Sequence, residues 1–176
     1  MFRLTALRRL NLAGNHLTGL PQALAELPQL SVLELQHNRL SQLPDVLLAL
    51  SGLTVLTLDF NPLSVLPDDI HRLSGLTSLS LHGTQLNALP PGTAALHALT
   101  HLDLRRTGLT HLPAVLEALP RLEVLRLQNN RFRPPPAQIA RFPALKVLEV
   151  SRGKYSDNHT LRQRYRDACP GLTLNL

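Results

Sequence analysis

Asp59, His82 and His101 are residue types that ligate metal ions or exchange protons, so they are the first candidates for chemistry in this chain. Cys169 is the only thiol; no disulfide forms within the chain, and no cysteine and histidine cluster has zinc-ligand spacing. Its setting, "ACPGL", offers no evident acidic or basic group to activate it as a nucleophile. The chain also contains no G-x-S-x-G elbow and no glycine-rich phosphate loop. A second kind of chemistry is recognition. Phe60, in "LDFNPL", is one of four phenylalanines, and Arg105, Arg106 and Arg126 supply guanidinium groups; interface energy concentrates in such anchors.

The elements that must position these residues follow from a repeat. Leucines recur at Leu7, Leu30, Leu53, Leu76, Leu99, Leu122 and Leu145, a constant step of 23 with no insertion or deletion. Each copy follows L-x-x-L-x-L-x-x-N-x-L-x-x-L-P-x-x-L-x-x-L, as in Leu30, Leu33, Leu35, Asn38, Leu40, Leu43, Pro44, Leu47 and Leu50. The L-x-L step has strand period, so Leu33 and Leu35 face a core while Glu34 and Gln36 face out. Pro44 opens a helical or 3-10 segment that returns Leu47 and Leu50 to the core. One copy cannot bury its own leucines, so the seven copies stack and their strands form a parallel sheet.

This pattern resembles the leucine-rich repeat family, in its intracellular type with a 23-residue unit and an "LP" step, from Leu4 to about Lys154. The resemblance implies an α/β repeat: a right-handed, horseshoe-shaped solenoid with about seven parallel strands on its concave side and short helical or 3-10 segments on its convex side. Residues 1–154 are expected to form the solenoid and 155–176 a C-terminal cap. In the cap, Asp157 or Asn158 starts a helix of about ten residues that ends before Pro170, with Leu161 and Tyr165 on one face. The sixth copy, "NNRFRPPPAQIARF", puts Phe132, Ile139 and Phe142 at leucine positions and stiffens the convex side with three prolines. The column Asn15, Asn38, Asn61 and Asn130 is expected to bond backbone of the turn and of the next coil, work that Thr84 and Thr107 replace only in part. At the other end only Phe2 and Leu4 shield the open edge, so an upstream domain or partner is expected there.

The period also aligns the outward positions. One column is Asn11, Glu34, Thr57, Ser80, Asp103, Arg126 and Glu149, in which Asp103, Arg126 and Glu149 adjoin with opposite sign and are expected to satisfy one another. The next is Ala13, Gln36, Asp59, His82, Arg105, Gln128 and Ser151, followed by a rim column of Gly14, His37, Phe60, Gly83, Arg106, Asn129 and Arg152. Phe60 thus lies outside the leucine core, its ring either folded over Pro62 or a neighbouring turn, or directed at a partner; Val32 and Val55 complete a modest apolar patch beside it. The expected binding set is Gln36, Asp59, Phe60, His82, His101, Asp103, Arg105, Arg106, Arg126 and Gln128. On an open sheet Asp59, His82 and His101 have no pocket and no buried supporting shell, so no metal or cofactor is expected.

The net charge of +6 sits at the C-terminal end, where residues 131–176 carry nine Lys and Arg against three acids. "HTLRQRYRDAC" has Tyr165 as its one aromatic and is flanked by Asp157 and Asp167, the pattern of a solvated cap helix and not of a nucleic-acid site. No apolar run approaches the roughly 18–20 residues that span a bilayer, and the start lacks a signal peptide's apolar stretch, so a cytoplasmic setting is expected and the Asn158-His159-Thr160 sequon is read as chance. Arginine-rich composition suggests a GC-rich bacterial genome. The resemblance implies a non-enzymatic module that recognises another protein through the concave sheet and rim loops. The alternative is the substrate-recognition arm of a larger bacterial effector enzyme, such as a ubiquitin ligase delivered into a host cell, whose catalytic domain is absent from these residues.

Overall fold

The L-x-L step becomes a three-residue strand in every coil of the computed structural model, which describes residues 5–151 and 158–176. Strands β1 (Arg9–Asn11), β2 (Val32–Glu34), β3 (Val55–Thr57), β4 (Ser78–Ser80), β5 (His101–Asp103), β6 (Val124–Arg126) and β7 (Val147–Glu149) pair in chain order as one open parallel sheet. Leu10, Leu33, Leu56, Leu79, Leu102, Leu125 and Leu148 stand in register across it, which is the 23-residue period made spatial. An eighth strand, β8 (Thr173–Asn175), pairs with β7 and sets Leu174 beside Leu148, one strand more than the leucine period accounts for. The convex segment of the sixth coil is α1 (Pro136–Ile139), and that of the seventh is the 11-residue helix α2 (Asn158–Ala168). The longer helix takes more chain, so β8 arrives 26 residues after β7 and escapes the period.

The other convex segments are 3-10 turns at Gln22–Glu26, Asp45–Ala49, Asp68–Leu73, Pro91–Ala95 and Ala114–Ala118. Pro44 does not open its segment but precedes it in extended conformation, and so do Pro21, Pro67, Pro90 and Pro113. In that position the proline carbonyl accepts the first turn's N–H, as from Leu47 to Pro44 at 2.9 Å, and its missing donor is not needed. The core is a continuous leucine stack, with Leu33, Leu35, Leu47, Leu53, Leu56 and Leu58 each fully buried. The fourth coil departs from it: Thr93 takes the position of Leu47 and Ile70, is 1% exposed, and its hydroxyl finds no hydrogen-bond partner among the described residues.

Asparagine joins the coils at the turns. Asn61 donates from Nδ2 to Leu58 O in its own coil and to Leu35 O in the coil before, both at 2.9 Å, while its Oδ1 accepts the Leu40 N–H at 3.0 Å. Asn38 does the same for Leu35 O, Leu12 O and Leu17 N–H, and Asn130 for Leu127 O, Leu104 O and Thr107 N–H. Thr84 and Thr107 have one hydroxyl in place of an amide: that of Thr84 reaches only Leu81 O in its own coil, while that of Thr107 lies within bonding distance of Leu104 O in its own coil and of Asn130 Oδ1 in the next, and neither reaches the coil before. Asn15, in the first coil, is exposed and bonds its own turn.

The two ends differ. Leu7, Leu10, Leu12, Leu17 and Leu20 of the first coil are only partly buried against the core. Phe2 and Leu4, expected to shield that edge, lie outside the described residues, as do Arg152, Gly153, Lys154 and Asp157 and the side chain of Asn158. At the other end Tyr165 on α2 is 1% exposed, its hydroxyl donates to Pro134 O, and Leu161 packs partly buried one turn before it. No helix among the described residues is long and apolar enough to cross a membrane.

Two outcomes follow from this packing. Asn61→Ala strands buried groups in two coils and lowers unfolding stability by about 2–3 kcal/mol in urea titrations, whereas the same change at exposed Asn15 costs less than about 1 kcal/mol. Burial pushes the Tyr165 phenol up to about 12 from its ordinary 10.0. The folded state therefore holds this proton more tightly than the unfolded chain. The stability it contributes is complete below pH 10 and is lost as pH rises toward 12, by about 2 kcal/mol, a decline that Tyr165→Phe removes from pH-dependent unfolding curves.

Candidate functional site

The exposed sheet face carries the outward residues of each strand in rows perpendicular to the strands. Val32, Val55, Ser78, His101, Val124 and Val147 form one row, and Glu34, Thr57, Ser80, Asp103, Arg126 and Glu149 the next. The ladder continues past the strands: His37 N–H donates to Asp59 O, Phe60 N–H to His82 O, Gly83 N–H to Arg105 O and Arg106 N–H to Gln128 O, at 2.8–2.9 Å. Gln36, Asp59, His82, Arg105 and Gln128 are therefore held at the same spacing as the strands themselves.

In the charged half of this face Arg126 pairs with Glu149 as expected, but Asp103 does not join them. Asp103 is 5% exposed, and both of its oxygens lie 2.9 Å from Arg105 Nε, with Arg105 Nη2 at 2.6 Å from Oδ2. The Arg105 backbone N–H also donates to Asp103 Oδ1 at 3.0 Å, a local turn that aims the carboxylate along its own coil and away from Arg126. Hydrogen bonding to Asp103 raises the Arg105 pKa further above its ordinary value. Arg126 turns instead to Glu149, 3.3 Å from Nε to Oε1, and Gln128 Nε2 donates to Glu149 Oε2 at 2.7 Å. Arg106, on the rim, is exposed and its side chain forms no hydrogen bond or ion pair among the described residues.

Nearer the N-terminus the contacts are polar and aromatic. Thr57 Oγ1 donates to Gln36 Oε1 at 2.8 Å, and Asp59 Oδ1 accepts the His82 N–H at 3.1 Å. His101 Nδ1 lies 2.9 Å from Thr100 Oγ1, so that imidazole turns toward its own neighbour; among the described residues no three metal-ligating side chains come together. Cys169, half-buried in the cap, has its thiol pushed up by burial, the opposite of what a nucleophile requires.

Phe60 anchors the rim. Its ring lies 4.7 Å from the His37 ring at an interplanar angle of 10°, and 4.6 Å from the His82 ring at 57°. It also lies over Gly83, where an added Cβ meets Phe60 Cδ1 at 2.7 Å. The ring thus covers the turn of the following coil and is itself backed by the preceding one, leaving 38% of the residue exposed. This rim column is left-handed in every coil from Gly14 to Asn129, with φ between 51° and 70°, and Phe60 at 54° is the bulkiest residue in it. His37 falls outside the binding set expected from sequence, though it stands 23 residues before Phe60 in the same column; the missed signal is that adjacent rim rings stack.

The chain matches the leucine rich repeat family over residues 1–40, 28–86 and 74–132. A leucine-rich repeat protein of Leptospira interrogans superimposes with a TM-score of 0.81 at 28% identity, covering 98% of this chain and 50% of that one. Internalin C2 of Listeria monocytogenes gives 0.79 at 26% identity, covering 97% of this chain and 71% of that one. The plant peptide hormone receptor RGFR1, in complex with RGF2, gives 0.68 at 25% identity over 85% of this chain and 25% of that one. This chain therefore spans half the length of the Leptospira protein. No curated protein sequence matches it.

The rim geometry inverts a usual order of stabilities. Phe60→Gly and Phe60→Ala both remove the ring-current shifts of the His37 and His82 ring protons in NMR spectra, but the glycine variant unfolds at higher urea, by about 1 kcal/mol, because it alone relieves the left-handed backbone.

Proposed function

Because the chain belongs to the leucine-rich repeat family, we propose that it is a non-enzymatic module that binds another protein on the exposed sheet face and its rim. The observation that carries this reading is the His37–Phe60–His82 ring cluster: a large aromatic side chain is kept on a left-handed backbone at the margin of the face, where its exposed edges are available to a neighbour. The binding surface is Gln36, Asp59, Phe60, His82, His101, Asp103, Arg105, Arg106, Arg126 and Gln128, with His37 added. Eight strands spaced about 4.8 Å apart extend the face to roughly 34 Å, a dimension suited to a protein surface of about 800 Å². The plant receptor RGFR1, in complex with RGF2, is a neighbour of the same fold and supports a polypeptide ligand.

A second reading places the same surface in a larger bacterial effector, as the arm that selects a substrate for an enzyme domain elsewhere. What leaves room for it is that this chain spans half the length of the Leptospira protein, and the reading frame on either side of these residues distinguishes it from a free-standing module.

The sheet-face assignment is tested by obstruction. Ser80 lies half-buried at the centre of the face, and Ser80→Trp lowers affinity for a protein partner recovered by cross-linking to the whole chain by more than about 30-fold, some 2 kcal/mol, with melting unchanged. The same substitution at exposed His71, in a convex segment, leaves affinity intact. Undiminished affinity of the folded Ser80→Trp protein overturns the assignment.

A further inference from the structure

Cations and anions on the sheet face are layered. The Arg105 and Arg126 side chains are 35% and 38% exposed, while Asp103 and Glu149 beneath them are 7% and 18% exposed. The carboxylates are also engaged from the protein side: Asp103 accepts three donors of Arg105, and Glu149 accepts from Gln128 and pairs with Arg126. Arg126 uses only Nε, and Arg106 stands exposed beside them with its guanidinium unengaged among the described residues. This end of the face therefore offers outward donors and withholds acceptors. Toward the N-terminus the balance reverses, with Val32, Val55 and Phe60 apolar and the carboxylates of Glu34 and Asp59 nearby.

We infer that the face binds an extended acidic segment of a protein partner, its carboxylates over Arg105, Arg106 and Arg126 and an apolar or aromatic residue against Val55 and Phe60. This rests on the sheet-face reading above and names the partner's chemistry. Two to three strand steps, about 10–14 Å, separate the two subsites, a distance that three to four residues of extended chain cover. A carboxylate presents two acceptors in the plane of a guanidinium fork, which is the match that outward arginines select. A nucleic acid fits less well: its backbone meets the carboxylates of Glu34 and Asp59, and the Phe60 ring offers a base little open face because the His37 ring stacks on it, the His82 ring meets it at a tilt and it lies against Gly83.

Random peptides of about a dozen residues, long enough to cross the eight strands in extended form, are panned against the whole chain and sequenced. The expected pool is enriched in Asp and Glu three to four positions from an aromatic or aliphatic residue. A selected peptide loses affinity on the order of tenfold or more when its acids become Gln, weakens as salt is raised, and loses a similar factor on the Arg106→Ala, Arg126→Ala chain with melting unchanged. Should that chain fail to fold, the Glu→Gln peptide on the unaltered protein decides. A pool without acidic enrichment, a pool enriched in Lys and Arg, or tighter binding of a single-stranded oligonucleotide overturns the inference. Selected peptides that lack acids but are blocked by Ser80→Trp leave the sheet-face reading standing, whereas binding indifferent to Ser80→Trp removes both.

Discussion

A strand of three residues has almost no structure of its own, and each coil here depends on its neighbours for both backbone hydrogen bonds and burial. The N–H of Leu35 reaches Thr57 O, that of Leu58 reaches Ser80 O, and that of Leu81 reaches Asp103 O, so the polar groups of one coil are completed by the next. Asn38, Asn61 and Asn130 do the same from the turns, each amide tying two coils. Leucines at fully buried positions fill the space that this spacing leaves. Any coil that drifts from register loses ladder, amide and core contacts together, which is why the 23-residue step runs without interruption through seven copies.

That same constraint explains what was legible. A period that must hold in space is visible in the chain, so the register of β1 to β7 and the rows on the sheet face follow from counting leucines. β8 was not legible because its spacing is set by a helix in place of a 3-10 turn, although "GLTLNL" carries the same alternation of leucines. The place of Pro44 was off by one residue, since the deciding quantity is the direction of its carbonyl and not its missing N–H. In the candidate site the rows and the pairing of Arg126 with Glu149 were correct, but the partner of Asp103 was not. Alignment brings Asp103, Arg126 and Glu149 side by side, yet a two-residue backbone turn commits Asp103 to Arg105, a choice made by local geometry that column reading cannot see. The left-handed rim was hidden too, because only Gly14, Gly83 and Asn129 among its occupants advertise that conformation.

The surface that results has a direction. Its rigid rows are apolar and aromatic near the second and third coils, then grade into guanidinium groups laid over buried or half-buried acids in the fifth to seventh. Because side chains on this face are tethered to each other and to the ladder, little further ordering is required when a neighbour approaches. Thr84 of the asparagine column and the buried Thr93 both fall in the fourth coil, between those regions, and among the described residues neither hydroxyl bonds to another coil.

The contact of Phe60 with Gly83 has a consequence for how such an array diversifies. A ring in one coil fits because the following coil has no side chain at the matching place, where a methyl group meets the ring at 2.7 Å. Neither position is free to change by itself: a side chain at Gly83 evicts the ring, and loss of the ring uncovers the turn. The unit of inheritance on this rim is thus the joint between two coils. A single coil moved as a cassette into another array carries half of a joint, and its new neighbour must supply the other half.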